Sequence, residues 1–286
     1  MTVIWLIVVL VVVAVLFVTA ESLRENRCIG VSEYTIHSDK VKKDIRFAVI
    51  ADLHSAEFGE NNSRLIEKID GQKPAFIIVA GDLILGKPGQ RPDVAVDLIN
   101  KLADKYKVYI GKGNHELRTS NDTELYGSLW KDLYEGTKEK ALWLINEDIY
   151  IPEYNVRIYG LDMDRIYYKR FKKTYMDDRY IKETIGPAGS ETYDILIAHN
   201  PDYFPEYADW GADLSLSGHV HGGMMILPFL GGIVSPAIKL FPRYYKGLYS
   251  IGDRKMIVSA GLGCHTIKIR VFNKPDLVMV KINGKR

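Results

Sequence analysis

Hydrophobic positions along this chain follow three patterns. The first is an unbroken apolar run, VIWLIVVLVVVAVLFV from Val3 to Val18, with no charge and no helix breaker. With Thr19 and Ala20 it reaches the ~20 residues a helix needs to cross a bilayer, so residues 1–20 are expected to form a transmembrane anchor. A cleaved secretory signal is the competing reading. No Lys or Arg precedes the run and no small-x-small cleavage site follows it, which favours the uncleaved anchor. Arg24, Arg27, Lys40, Lys42 and Lys43 all follow the span. By the positive-inside tendency they point to a single-pass protein of the cell membrane whose remainder faces the cytoplasm.

The second pattern begins at Ile45, after a polar stretch (21–44) that reads as a linker and an approach strand. Short β-branched or aromatic runs each end in a cluster of Asp, His, Asn and Gly. They are IRFAVI before Asp52, AFIIVA before Gly81, KVYI before Gly111, YDILIA before His199 and ADLSLS before Gly218. Continuous apolar runs of this length, separated by helical periodicity, predict buried strands covered by helices. The helices are expected at Ser63–Asp70, Pro92–Lys105, Thr123–Lys138 and Pro201–Ala208, the last opened by Asn200 as N-cap and Pro201 at the first helical position. The third pattern is C-terminal: GLYSI, KMIVSAG, TIKIRVF and LVMVKI read as consecutive antiparallel strands. Residues 45–286 are expected to form the catalytic domain.

Composition narrows this only a little. The 286 residues accommodate one large α/β domain or two small ones, and 47% apolar with 26% charged residues is globular. A net charge of +2 argues against a nucleic-acid partner. Cys28 and Cys264 stand too far apart in sequence to suggest a disulfide framework or a zinc knuckle.

In open α/β sheets functional groups gather beyond the carboxyl ends of the strands. Five strand ends here deliver Asp52-Leu53-His54, Gly81-Asp82, Gly113-Asn114-His115-Glu116, His199-Asn200 and Gly218-His219-Val220-His221. Alone, an Asp-x-His or Gly-Asp is a turn and a His-x-His a solvated strand face. Five in succession, each closing a strand, point to a metal site. Carboxylate oxygens mixed with imidazole nitrogens suit Mn, Fe or Zn better than Ca or Mg. Gly81, Gly113 and Gly218 are expected to turn the backbone sharply at each strand end.

These motifs, in this order, resemble those of the calcineurin-like metallophosphoesterases over roughly residues 45–275. HNPDYF (199–204), HVHGG (219–223) and GLG…IKIRVFNKPDLV are similar to the membrane-associated bacterial branch typified by the YkuE and YaeI proteins. Two positions depart from the pattern: Leu85 stands where some members carry a second Asp, and Met224 where the branch often has Gln. The resemblance implies a four-layer α/β/β/α sandwich of two mixed sheets flanked by helices, behind the N-terminal transmembrane helix. It implies two metal ions, one held by Asp52, His54 and His221 and the other by Asn114, His199 and His219, with Asp82 bridging. A hydroxide shared by the metals would attack phosphorus. His115, next to a ligand yet not one itself, is the expected catalyst that protonates the leaving group or stabilises charge on the phosphoryl oxygens, oriented by Glu116 or Asp52.

Several segments stay open. RIYYKRFKKTY (165–175) reads as a solvated helix face, a surface for anionic headgroups or a nucleic-acid stacking platform. MMILPFLGGIVSPAIKLF (224–241) reads as two core strands joined at Gly231-Gly232, or as a lipid-facing flap or acyl-chain groove. Asp162 and Asp164 either approach the pocket or make a turn, and Cys264-His265 is structural or pocket-lining. The expected activity is hydrolysis of a phosphorylated small molecule or lipid by a monomer at the membrane. A lipid-linked substrate leads, with UDP-2,3-diacylglucosamine-type pyrophosphate hydrolysis as the specific candidate. Soluble nucleotides, cyclic nucleotides or phosphoproteins are the alternative substrates, and a catalytically silent metal-bound scaffold is the alternative of another class.

Overall fold

The computed structural model describes residues 2–170, 173–236, 238–265 and 268–285. Its strands are β1 (Gly30–His37), β2 (Ile45–Ile50), β3 (Phe76–Ala80), β4 (Lys107–Gly111), β5 (Leu142–Trp143), β6 (Glu147–Ile151) and β7 (Val156–Gly160). They continue with β8 (Tyr193–Ile197), β9 (Leu214–Ser217), β10 (Ile226–Leu227), β11 (Gly231–Gly232), β12 (Gly247–Ile251), β13 (Arg254–Val258) and β14 (Asp276–Asn283). One six-stranded sheet runs β1-β14-β2-β3-β4-β5 and the other β12-β13-β9-β8-β7-β6, with β10–β11 as a small separate hairpin. Both large sheets are mixed: β2 to β5 are parallel, as are β7, β8, β9 and β13, while β14 opposes β2 and the edge strands β6 and β12 oppose their neighbours.

Side chains alternate across a strand, and both faces of these strands are buried. Phe47 and Val49 of β2, Ile78 and Ala80 of β3 and Val280 of β14 face the second sheet, where they meet Ile158, Ile195, Ile197 and Leu216. The opposite face carries Ala48, Ile50, Ile77 and Val79, packed under helices Ser63–Gln72, Asp93–Ala103 and Leu129–Thr137. Helices Tyr180–Ile185 and Phe204–Trp210 cover the outer face of the second sheet through Ile181, Tyr207, Leu196 and Ala198. The result is the expected four-layer α/β/β/α arrangement.

Boundaries differ where a local device overrides periodicity. The helix expected over Thr123–Lys138 divides into Thr123–Tyr126 and Leu129–Thr137, because Gly127 adopts φ 62° between them. The helix begun by Pro201 opens as a 3-10 turn (Pro201–Tyr203), with the Asn200 side chain accepting from Asp202 N–H at 3.1 Å as the expected cap. Residues 21–44 hold less linker than expected, since the first helix continues to Glu25 and β1 pairs in parallel with β14. The C-terminal segments are not consecutive antiparallel strands. GLYSI and RKMIV form a hairpin, and the described part of TIKIRVF is irregular apart from a bridge between Val271 and Met225. LVMVKI crosses to the first sheet, where nearly every residue of β14 is buried between β1 and β2.

The N-terminal helix, Thr2–Glu25, has a stretch Val3–Glu25 long and apolar enough to cross a membrane by length and composition. Its apolar residues are exposed, but its last turns are seated on the chain between His265 and Asn273. Ser22 Oγ donates to the Lys268 carbonyl at 2.7 Å and accepts from Arg270 N–H at 3.0 Å, Asn26 Nδ2 donates to the same carbonyl at 3.1 Å, and the Phe17 ring lies 6.3 Å from Phe272. Truncation at Ile78, fully buried between the sheets, tests the central layer. Ile78→Ala is expected to cost about 2–5 kcal/mol, seen as a lower urea midpoint for the detergent-solubilised chain.

Candidate metal centre

Parallel strands in both sheets put their carboxyl ends on one edge, and the five clusters meet there. Asp52, His54, Asp82, His199 and His221 are buried, and His219 is partly so. Their backbones are unusual. Asp52 (φ 50°), His54 (48°), Asp82 (56°), His219 (70°) and His221 (51°) all lie in the left-handed region, which costs a non-glycine residue roughly 1–3 kcal/mol where surroundings enforce it. The expectation that glycine supplies the sharp turns is therefore met only at Gly81 (φ 87°). Gly113 and Gly218 serve close approach instead: a Cβ on Gly113 would strike the Asp82 carboxylate, and one on Gly218 the Asp52 carboxylate.

Hydrogen bonds to the ring nitrogens sort the histidines. His54 Nδ1–H donates to the Ile84 carbonyl (3.3 Å), His199 Nδ1–H to Ala80 (2.7 Å) and His221 Nδ1–H to Gly263 (3.2 Å). A carbonyl only accepts, so each Nε2 is aimed inward, with a lone pair wherever the ring is neutral. These nitrogens converge. His54 Nε2 and His221 Nε2 are 3.0 Å apart, and both stand within 3.7 Å of Asp52 Oδ1. His199 Nε2 lies 3.1 Å from Asp82 Oδ2, yet without the alignment of a hydrogen bond. Facing lone pairs beside buried carboxylates are what a bound cation resolves. Donor atoms of Asp52, His54 and His221 lie within 4.8 Å of one another, as do those of Asp82, His199 and His219, and of His54, Asp82 and His115. Asn114 joins through Oδ1, 2.7 Å from His219 Nδ1.

His115 is built the other way round. Gly86 N–H donates to its Nδ1 at 2.9 Å, with Arg118 Nη2 at 3.2 Å, so in the neutral ring the proton sits on Nε2. That nitrogen points toward Asp82, 3.9 Å from Oδ2. Neither Glu116 nor Asp52 orients the ring, contrary to expectation. Glu116 is instead a fully buried clamp: its Oε2 accepts from the N–H groups of Asp82 and Gly113 (2.8 Å each) and its Oε1 from Ile84 N–H (3.2 Å). His115 N–H in turn donates to Asp82 Oδ1 at 2.8 Å, and His219 N–H to both Asp52 oxygens at 3.1 Å.

Electrostatics follow from burial. It pulls His54 and His219 down to about 4 and His115 and His221 well below the usual imidazole range. Burial acts on His199 too, but the Asp82 and Asp52 carboxylates overcome it and push this ring up to about 10. Burial, with Asp82 nearby, raises Asp52 to about 7 and Glu116 to about 7. Burial works to raise Asp82, but His199, His115 and His54 together hold its carboxyl well below the usual carboxylate range.

One positioning residue escapes the motifs. Arg270, almost fully buried and within TIKIRVF, donates Nη2 to the carbonyls of Ala260, Gly261 and Gly263 (3.1, 2.9 and 2.7 Å) and Nε to Cys264 Sγ (3.3 Å). It thereby fixes the carbonyl that orients His221. Its one sequence signal was a charge, two residues after Lys268, on alternate positions of a strand-like run. Asp162 does not approach the centre but pairs with Lys112 at 2.7 Å, and Asp164 makes a turn whose N–H meets Tyr180 Oη. His265 does line the cleft, its ring 4.8 Å from that of His115. The cleft holds about 520 Å³, and Arg118, Arg165, Lys169 and Arg170 line it as well. Within RIYYKRFKKTY, Arg165–Tyr168 form a 3-10 turn, and Arg165, Lys169 and Arg170 face this cleft; its Phe171 and Lys172 lie outside the described residues.

Two measurements test this arrangement. Without metal His199 keeps its proton up to about pH 10, so loading a cation near pH 8 should release about one proton per chain, and affinity should rise with pH; proton uptake or release in weak buffer reads it. Glu116→Leu strands three buried N–H groups at about 1–3 kcal/mol each. It should lower both thermal stability and metal retention, measured by calorimetry and elemental analysis.

The sequence comparisons agree with the geometry. The profile of the calcineurin-like phosphoesterases matches residues 45–223. The chain is 23% identical to the uncharacterized metallophosphoesterase YkuE of Bacillus subtilis, over 91% of this chain and 87% of that one. It is 25% identical to the phosphodiesterase YaeI of Escherichia coli, over 82% and 80%. A shorter stretch is 29% identical to the UDP-2,3-diacylglucosamine pyrophosphatase LpxG of Chlamydia muridarum, over 30% and 28%. This chain belongs to the calcineurin-like phosphoesterases, hydrolases of phosphoric ester bonds that act through clustered His and Asp residues able to bind metal.

Proposed function

We propose that the chain is a two-metal phosphoesterase working at a membrane surface on a lipid-linked phosphoester or pyrophosphate. The observation that carries this is the convergence of three Nε2 atoms, each ring held from behind by a carbonyl at Nδ1, on two buried carboxylates. Asp52, His54 and His221 would hold one cation, Asn114, His199 and His219 the other, and Asp82 both. Mn, Fe or Zn suits this mixed donor set. When bound, such a pair neutralises phosphoryl oxygens and acidifies a water.

The chain's own residues supply the rest. His115 presents Nε2–H beside Asp82, where it can hydrogen-bond a phosphoryl oxygen or give a proton to the departing oxygen. Arg118, Arg165, Lys169 and Arg170 offer positive charge to a phosphorylated head. The apolar N-terminal helix supports anchoring of residues 1–20, with the catalytic domain over 45–286, and the basic residues after the helix support a cytoplasmic face. LpxG, named for UDP-2,3-diacylglucosamine pyrophosphate cleavage, supports a substrate of that lipid-linked kind.

Turnover of a chromogenic phosphodiester with added manganese tests the reading. Asp82→Ala should lose both metal and activity. His115→Ala should lose about 10²- to 10⁴-fold in kcat while elemental analysis shows its metal retained. Equal rates in wild type and Asp82→Ala would overturn the two-metal proposal.

A further inference from the structure

The segment 224–241 does not form the two core strands that its apolar composition allows. It folds as the β10–β11 hairpin and a second turn closed by a Val234–Leu240 bridge, which borders the polar cleft through Pro236. The turn between β10 and β11 falls at Pro228–Leu230, not at Gly231-Gly232, and carries Phe229 fully exposed. Beneath this flap is a second hollow of about 390 Å³. It shares His221, His265, Arg170 and Pro236 with the polar cleft, so the two spaces adjoin. Away from those shared residues Met224, Val234, Ile238 and Ile269 line it. Polar groups there are occupied elsewhere: Arg270 is spent on carbonyls and Cys264, and Ser235 Oγ accepts from Lys239 N–H.

The hollow's surroundings indicate what enters it. Phe229, Leu230, Ile238, Leu240 and Phe241 leave large apolar surface exposed on the flap. Phe272, also exposed, meets Phe17 of the N-terminal helix, and Lys268 and Arg270 flank Ile269 with their contacts to Ser22. The Val271–Met225 bridge sets this segment beside the start of the flap, and large exposed apolar patches mark contact with lipid or a partner. At the inner end stand the carboxylates, the histidines and Arg170. A ligand that satisfies both ends has a phosphorylated head and a hydrocarbon chain.

We infer that this hollow is a tail site, which takes an alkyl chain of a phosphorylated lipid while its phosphate lies at the Asp52–Asp82 cluster. The inference rests on the phosphoesterase reading above and names the part of the molecule that decides its substrate. Met224, at the position where a polar residue would wet the wall, keeps that boundary apolar.

The test uses the full chain in phosphatidylcholine nanodiscs with manganese and a series of alkyl 4-nitrophenyl phosphates, their chains rising from about 2 to about 14 carbons. For wild type kcat/KM should climb with length, approaching about fourfold per methylene until the hollow is full. Val234→Trp and Ile269→Trp should reduce the long-to-short ratio at least about tenfold. Partition into the bilayer acts on wild type and variants alike and cancels from that comparison. A mutation-free arm uses a non-hydrolysable alkyl phosphonate with a terminal diazirine, with crosslinks located by peptide mass analysis. Labels at Met224, Val234, Ile238 or Ile269 support the tail site. A length-independent wild-type series, unaltered ratios in both variants, or labels confined to the N-terminal helix would each overturn it. Failure of the wild type to hydrolyse any ester would instead overturn the phosphoesterase reading on which it stands.

Discussion

Two carboxylates, Asp52 and Asp82, are buried side by side where the two sheets meet. Each gives up hydration worth several kcal/mol, and among the histidines around them only His199 is pushed toward the charged form. Much of the local structure follows from keeping this negative charge in place. Both aspartates and three of the surrounding histidines take left-handed backbone, Gly113 and Gly218 lack the Cβ that would displace the carboxylates, and backbone amides of His115 and His219 hold the oxygens. Such concentrated strain is characteristic of sites whose function needs a fixed geometry.

Main-chain partners divide the labour among chemically identical rings. A carbonyl at Nδ1 aims the Nε2 of His54, His199 and His221 inward, as an acceptor in the neutral rings of His54 and His221; an amide at Nδ1 turns His115 into an inward donor. No difference in side-chain type encodes this division. It is set by which backbone group each strand-end loop places behind the ring. The same logic explains Glu116, which spends its charge on three amides of neighbouring loops and so locks the loop bearing Asp82 to the loop bearing His115.

The N-terminal helix is tied into this framework as well. Ser22 meets Arg270, Arg270 holds the Gly263 carbonyl, and that carbonyl orients His221. A short series of contacts thus runs from the helix's last turns to a candidate ligand. Exposed Phe17 and Phe272 also meet beside the helix, and the Val271–Met225 bridge joins that segment to the start of the flap.

The sequence by itself determined the layers and the chemistry. Short β-branched runs between helical patterns read as interior strands, and Asp, His and Asn repeated at their ends point to a metal site because few other functions need that mixture at every turn. Sequence proximity could not decide what stands behind each ring. That depends on contacts between residues far apart, as with His221 and Gly263 or His115 and Gly86. Arg270 looked like one charge in a strand-like run, and LVMVKI like the next strand of a meander, because local periodicity carries no information about which sheet a strand joins. The apolar flap was ambiguous for the same physical reason: composition says that a surface avoids water, and only the tertiary structure decides whether protein or another apolar phase covers it.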